Sequence, residues 1–284
     1  MITASHNPMN YNGLKLVKEG ARPSSGDTGL MDIYALLEKG LFADGLADGR
    51  SRGIVETVDS TEDYLTHLLG MVDVSQMKPL KIVANGGNGC AGPIIEALEK
   101  KVPLEFINLY MEPDGTFPNG VPNPLLPEKR EDTAKAVLEN QADLGIAWDG
   151  DFDRCFFFDH KGRFIDSYYI VGFLAEIFIQ SNPGATIIYD PRVIWNTEEI
   201  VKKFDGTPIE CRGGHAFMKE SMRKYGAIYG GEASGHHFFK DFHYCDSGML
   251  PWLYVVLELS KRGCTLADVV DGAMEKYPIS GEIN

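Results

Sequence analysis

The chain has 284 residues, 44% hydrophobic and 24% charged, with 27 basic against 41 acidic side chains for a net charge of −14. At roughly 100–200 residues per domain this is a folded chain of about two domains, or two and a piece. The charge disfavours a nucleic-acid backbone or an anionic membrane surface as partner. The best apolar stretch, Tyr168 to Ile179, contains Glu176 and is shorter than the roughly 18–20 residues that span a bilayer.

In chain order, residues 1–52 do not read as a self-contained domain. They hold a short polar loop, TASHNP (Thr3 to Pro8), an amphipathic stretch near Asp32 to Leu37, and the Gly/Asp-rich linker candidate LFADGLADGRSRG. DSTEDYLTHLLGMV then reads as a helix with Asp59 or Ser60 as N-cap. PLKIVA is a short strand without polar alternation, as expected when both faces are covered. It leads through NGGNGCAG into the helix PIIEALEKK, with Pro93 near its start. The strand LEFINLY, a Pro/Gly-rich loop, a helix near Glu131 to Glu139 and the strand ADLGIAW follow. After the strand-turn-strand CFFFD, HKGR, FID comes a second alternation: YYIVGFLAEIFIQ, ATIIYD, TEEIVKKF, PIEC, AFMKESMRKYG, AIYGG, and helices from about Met249 and Leu266. Two such βα series imply sheets flanked by helices on both faces. No basic segment followed by an apolar run opens the chain, so no signal peptide is expected. The five cysteines (Cys90, Cys155, Cys211, Cys245, Cys264) form no CxxC and read as reduced thiols of a cytoplasmic protein.

WDGDFDR carries Asp149, Asp151 and Asp153 on alternate positions. In an extended segment alternate side chains share a side, and three carboxylates together repel unless a cation sits among them. Hard oxygen ligands suit Mg²⁺. An EF-hand is excluded, since its glycine position holds Arg154 and its terminal glutamate position His160. A plain Asp/Gly turn remains the alternative. Ser5 in TASHNP offers a nucleophile. His6 is not expected to be its base, because adjacent side chains diverge, and no GxSxG elbow is present. A serine carrying a phosphoryl group fits better beside a cation site, with a simple turn as the rival. NGGNGCAG lacks the GxGxxG spacing and is better explained as a tight strand-to-helix turn than as a dinucleotide cradle. GGEASGHHFF places Glu232, Ser234, His236 and His237, groups that hydrogen-bond sugar hydroxyls, in a glycine-flanked loop, with a satisfied structural turn as the alternative. RGGH, with His215, opens a helix whose N-terminus favours phosphate, and Arg192 follows IIYDP in a similar setting.

In this order the motifs resemble the α-D-phosphohexomutase superfamily, nearest its bacterial phosphomannomutase and dual phosphomannomutase/phosphoglucomutase branch. TASHNP is similar to the family's phosphoserine loop, DGDFDR to its metal loop and GEASGHH to its sugar-specificity loop. PDGTFPNGVPNPLLPE and GHAFMKE match as well. The resemblance implies tandem three-layer α/β/α domains with mixed, mainly parallel sheets. It divides the chain into 1–52, the C-terminal remnant of an incomplete first domain, 53–162 and 163–284, with a fourth domain absent. It implies that Ser5 is phosphorylated and that Asp149, Asp151 and Asp153 hold Mg²⁺. Lys15 (in YNGLK) and His215 would assist catalysis, while Arg154, Arg192, Glu232, Ser234 and His236 bind substrate. The implied reaction interconverts mannose 6-phosphate and mannose 1-phosphate through a hexose 1,6-bisphosphate, for GDP-mannose synthesis. Ala233 stands where methionine is usual and His237 follows His236, which leans toward mannose and leaves phosphoglucomutase or dual specificity as the alternative. A reading of another class is a non-catalytic, metal-binding fragment, because a loop for the substrate's second phosphate is missing. The implied partner is a small phosphosugar, with no nucleic acid or membrane, in the cytoplasm; a homodimer is left open.

Overall fold

The structure is a computed structural model that describes residues 1–41 and 54–281. From residue 42 on, the linker candidate therefore lies outside the described residues. Among residues 1–41 a single bridge between Ile2 and Leu14 closes the serine loop. Strands β1 (Val17–Lys18) and β2 (Arg22–Pro23) pair antiparallel, and helix α1 (Leu30–Glu38) follows. None of the α1 side chains is buried, and Leu30, Met31, Ile33, Tyr34, Leu36 and Leu37 are exposed.

The second unit runs α2 (Thr61–Met71), β3 (Lys81–Asn85), α3 (Ala91–Leu98), β4 (Glu105–Leu109), α4 (Glu131–Asn140), β5 (Leu144–Trp148), β6 (Cys155–Asp159) and β7 (Phe164–Ile165). Its sheet order is β4-β3-β5-β6-β7. Ser60 is the N-cap residue of α2, while the Asp59 carboxylate accepts from the Thr61 N–H at 3.0 Å. The β5 and β6 residues are all buried, which explains their unbroken apolar runs. The third unit runs α5 (Ser167–Ser181), β8 (Thr186–Tyr189), α6 (Ile194–Lys203), β9 (Thr207–Glu210), α7 (His215–Tyr225), β10 (Tyr229–Gly231), β11 (His237–Phe239), β12 (Cys245–Asp246), α8 (Leu250–Arg262) and α9 (Leu266–Lys276). Its sheet order is β12-β11-β10-β8-β9.

Both five-stranded sheets are mixed. The pairs β3/β4, β3/β5, β8/β9 and β8/β10 are parallel; β5/β6, β6/β7, β10/β11 and β11/β12 are antiparallel. The parallel halves come from the βα alternation. The antiparallel halves come from short reversals, which have no room for a crossover helix. One such reversal carries the three aspartates and another carries GEASGH, so the chemistry-bearing loops sit where the sheets change direction.

The second and third units share one continuous core, from Leu65, Ile82 and Ile146 to Tyr229, Trp252 and Val270. The Trp148 indole meets that of Trp252 edge-on at 6.5 Å and donates to the Gly248 carbonyl at 2.8 Å. A lone bridge between Arg154 and His236 sews the two sheets together. Among the described residues no helix is long and apolar enough to cross a membrane.

Candidate active site

The segment after β5 is a turn and not the extended stretch that the alternating aspartates imply. The Phe152 N–H returns to the Asp149 carbonyl at 3.2 Å, and Phe152 has φ +48°. The carboxylates converge all the same, each offering an oxygen within 4.8 Å of the others. Asp149 is fully buried. The Arg154 Nε donates to its Oδ2 at 2.8 Å, with Nη2 in ion-pair contact at 2.7 Å rather than along a hydrogen bond. Burial, and then the neighbouring charges of Asp153 and Asp151, push the Asp149 pKa up against the pull of Arg154. Asp151 Oδ1 is buried yet accepts no hydrogen bond, and the buried Asp153 Oδ1 has only the His236 ring at 3.5 Å. Buried carboxylate oxygens without partners are costly unless a cation satisfies them. An all-carboxylate set with such an orphaned oxygen fits a hard divalent ion such as Mg²⁺.

The glycine turn NGGNGCAG has a part in this. The Cys90 N–H donates to the Gly150 carbonyl at 2.9 Å, and a Cβ on Gly89 would come within 2.7 Å of that oxygen. A Cβ on Gly150 would in turn collide with the Ser5 carbonyl oxygen. Two glycines thus let three backbones stack, with the turn after β3 buttressing the acidic loop and the acidic loop buttressing the serine.

Ser5 lies across the acidic loop. Its Oγ is 3.3 Å from Asp149 Oδ2 and 3.0 Å from His6 Nδ1. The second contact corrects the expectation that neighbouring side chains diverge. Ser5 has φ +55°, and this left-handed backbone swings the two side chains together. Thr3 holds the loop, its hydroxyl accepting from the Ser5 N–H at 2.9 Å and donating to Asp151 Oδ2 at 2.9 Å. Lys15 Nζ bridges Asp151 at 3.1 Å and Asp153 at 2.7 Å. Burial alone would lower the Lys15 pKa, but Asp153 and Asp151 push it above the ordinary lysine value.

His236 faces this cluster from the third unit. Its Nε2 lies 3.5 Å from Asp153 Oδ1; its Nδ1 lies 3.3 Å from Glu232 Oε2 and 2.9 Å from the Ser234 hydroxyl. Burial disfavours the imidazolium, yet its contacts with the Asp153 and Glu232 carboxylates push its pKa up to about 10. Asp153 is the counterpart: burial would raise its pKa, but His236 and Lys15 hold it well below the usual carboxylate range. The Arg154–His236 bridge fixes this meeting at backbone level.

Of the residues singled out in the sequence, Ser5, Lys15, Asp149, Asp151, Asp153, Arg154, Glu232, Ser234 and His236 form one network, its two halves joined through Thr3. His215, at the start of α7, stands beside it; its pKa is lowered by burial and then by the charge of Lys219. Arg192 is at the rim, its guanidinium on the buried Asp190, whose Oδ2 also accepts from the Ala233 N–H at 2.8 Å. Thr3, Asp190 and the Lys219–Asp246 ion pair (2.7 Å) join the site without having stood out in the sequence. Lys219 carried a signal, standing four residues after His215 and so on the same face of α7. Asp246 carried none, because β12 brings it alongside β11 only in the fold.

Fold and site together define a tandem α/β/α protein in which an N-terminal serine loop is laid on an acidic, metal-type loop. Models of the phosphoglucomutase/phosphomannomutase α/β/α domains I, II and III match residues 1–44, 62–162 and 166–277. The chain belongs to the phosphoglucomutase/phosphomannomutase family. A phosphomannomutase of Salmonella montevideo is 56% identical over 288 residues, covering 100% of this chain and 63% of that protein. A protein of Xanthomonas campestris pv. campestris described as "Phosphohexose mutases" is 55% identical over 284 residues, covering 100% of this chain and 62% of that one. The crystal structure of a phosphoglucomutase/phosphomannomutase family protein from Burkholderia thailandensis superposes with a TM-score of 0.85 at 32% identity, over 95% of this chain and 57% of that one. The chain thus spans about three fifths of the length of the curated relatives it matches (63% and 62%).

Proposed function

We propose that this chain carries the phosphoserine and metal-binding core of a phosphomannomutase, interconverting mannose 6-phosphate and mannose 1-phosphate through a hexose 1,6-bisphosphate. The observation that carries it is Ser5 Oγ at 3.3 Å from Asp149 Oδ2, in a cluster of three carboxylates where the buried Asp151 Oδ1 has no hydrogen-bond partner. Relatives named phosphomannomutase, 54–56% identical over the whole chain, support it. The bounds 1–52, 53–162 and 163–284 read from the sequence hold in this proposal except at the second junction, which moves past β7 (Phe164–Ile165), a strand of the second sheet.

In this reading Asp149, Asp151 and Asp153 hold Mg²⁺, which when bound supplies charge neutralisation for the transferring phosphoryl group. Ser5 Oγ carries that group. A sugar hydroxyl oxygen bonds to phosphorus as the P–Oγ bond breaks, and the hydroxyl proton leaves to a nearby base. In the return step Ser5 Oγ takes the other phosphate of the bisphosphate and releases the monophosphate. Lys15 and His215 handle protons at the transferring oxygen. Glu232, Ser234 and His236 grip sugar hydroxyls, and Arg154 and Arg192 complete the substrate contacts. Positioning and charge supply most of the acceleration in such transfers. The preference for mannose over glucose follows from the relatives' names and is read as a ratio of kcat/KM for the two 1-phosphates.

The test separates the half-reaction from turnover. The chain is incubated with radiolabelled hexose 1,6-bisphosphate and Mg²⁺, and label is mapped by peptide. Label on Ser5 in the wild type and none in Ser5→Ala is expected. Equal labelling of the two would sink the serine assignment, and unaltered Mg²⁺ affinity in Asp153→Asn would sink the metal assignment. Mannose 1-phosphate turnover with the bisphosphate as activator then distinguishes a complete enzyme from a metal-binding fragment.

A further inference from the structure

Helix α7 carries His215, Lys219 and Arg223 at intervals of four, so all three share one face. The face runs from the cleft to the turn between β1 and β2. Lys219 is buried and pairs with Asp246 at 2.7 Å. Arg223 Nη2 donates to the carbonyls of Gly20 (3.1 Å), Ala21 (3.2 Å) and His243 (2.9 Å), and the guanidinium lies over the Tyr244 ring at 4.9 Å. Among the described residues, every hydrogen bond that joins residues 1–41 to residues 163–281 is donated by Arg223.

The joint is built from disfavoured backbone. Ala21, His243 and Tyr244 have φ of +57°, +55° and +60°, while Gly20 takes its φ of +68° freely. Left-handed backbone at residues with a Cβ persists only where the surroundings hold it, and here one guanidinium nitrogen, Arg223 Nη2, ties the two turns together. The β1–β2 turn has little else: Val17, Lys18, Glu19, Gly20 and Arg22 are exposed, and Pro23 alone is buried within the two strands. Lys15 stands two residues before β1, and its Nζ reaches Asp151 and Asp153.

We infer that Arg223 is a positioning residue: by pinning the Gly20–Ala21 turn to the third unit, it fixes the strand that delivers Lys15 to the acidic loop. Its kinetic consequence rests on the phosphoryl-transfer reading; its structural consequence does not. Lysine in its place supplies charge without the planar guanidinium that lies over the Tyr244 ring, so it restores the tie only in part.

The test uses the full chain with Arg223→Ala and Arg223→Lys. Trace acetylation of metal-free protein reads Lys15 against Lys81 as internal reference. A several-fold rise in Lys15 reactivity is expected in Arg223→Ala, with partial return in Arg223→Lys. Amides of residues 17–23 should exchange faster while those of β3 and β5 keep wild-type protection, which shows that the fold survives. The rate constant for Ser5 phosphorylation should fall about tenfold through misplacement of Lys15, with the KM for bisphosphate little changed. Unchanged Lys15 reactivity overturns the inference, and so does raised reactivity with unchanged Ser5 phosphorylation. A wild type that takes no phosphate onto Ser5 overturns the proposed reaction instead, and Lys15 reactivity then decides the clamp alone.

Discussion

Ser5 and Gly150 depend on each other at the scale of single atoms. With no room for a Cβ between Gly150 and the Ser5 carbonyl, Gly150→Ala must push the serine loop off the acidic loop. We expect Ser5 phosphorylation to fall by roughly a hundredfold, as for about 1 Å of misplacement, while urea stability of the second and third units changes little. Stability loss without loss of labelling would place the strain elsewhere. His237 is a different case. It is fully buried on β11, its Nδ1 is 2.7 Å from the Tyr229 hydroxyl, and its Nε2 has no partner. Burial, then the charge of His236, pulls its pKa down to about 3. The unfolded histidine titrates at about 6.5, so as pH falls the unfolded chain takes up this proton first. The His237 contribution to stability is therefore complete above about pH 6.5 and drains away toward about pH 3, by ~1.4 kcal/mol per pH unit. His237→Gln should lose ~2 kcal/mol less than wild type between about pH 7 and pH 5 in urea titrations. Parallel losses in the two proteins would remove His237 as the source.

Among the elements, α9 shows how local sequence sets a boundary. The Thr265 hydroxyl accepts from the Asp268 N–H at 3.2 Å, and the Asp268 carboxylate accepts from the Thr265 N–H at 2.9 Å. This reciprocal cap starts a helix whose Leu266, Ala267 and Val270 are buried. Thr265→Ala should cost about 1 kcal/mol, seen as a Tm drop of about 2–4 °C; Thr265→Ser should keep the cap and the Tm. Helices and parallel strands were legible for such reasons: period, caps and continuous apolar runs are written within ten or so residues. The strands β11 and β12 were not. HFF and CD are too short to show a period, and their pairing depends on reversals at Gly235 (φ +88°) and at His243 and Tyr244 (φ +55° and +60°). The site was legible as motifs and not as geometry. TASHNP and DGDFDR stand out as strings, but a contact across 144 residues, Ser5 to Asp149, has no local trace. The His6 contact was hidden by a backbone angle that sequence does not print.

At the scale of the whole molecule, the question is whether the second and third units unfold together. They share one apolar core, and Trp148 sits at its waist with no exposed surface. Its indole is locked twice, by the hydrogen bond to Gly248 and by the edge-on contact with Trp252. The Arg154–His236 bridge lies a few residues further on, so the same joint that couples the cores also aligns the cleft. A shared core makes local opening of one unit expose the other, which is the condition for a single transition. Residues 1–41 lack such a core, since α1 buries no side chain, and their amides should exchange faster than those of β3. We expect far-ultraviolet circular dichroism and tryptophan fluorescence to report coincident urea transitions in the wild type. Trp148→Ala removes the waist and should cost about 3–5 kcal/mol, the usual range for a buried tryptophan. If the joint couples the units, that loss should also split the transition in two, with the third unit, which keeps Trp252, fluorescing through the later step. A single, merely earlier transition in Trp148→Ala would mean that coupling is spread along the whole interface rather than gathered at Trp148.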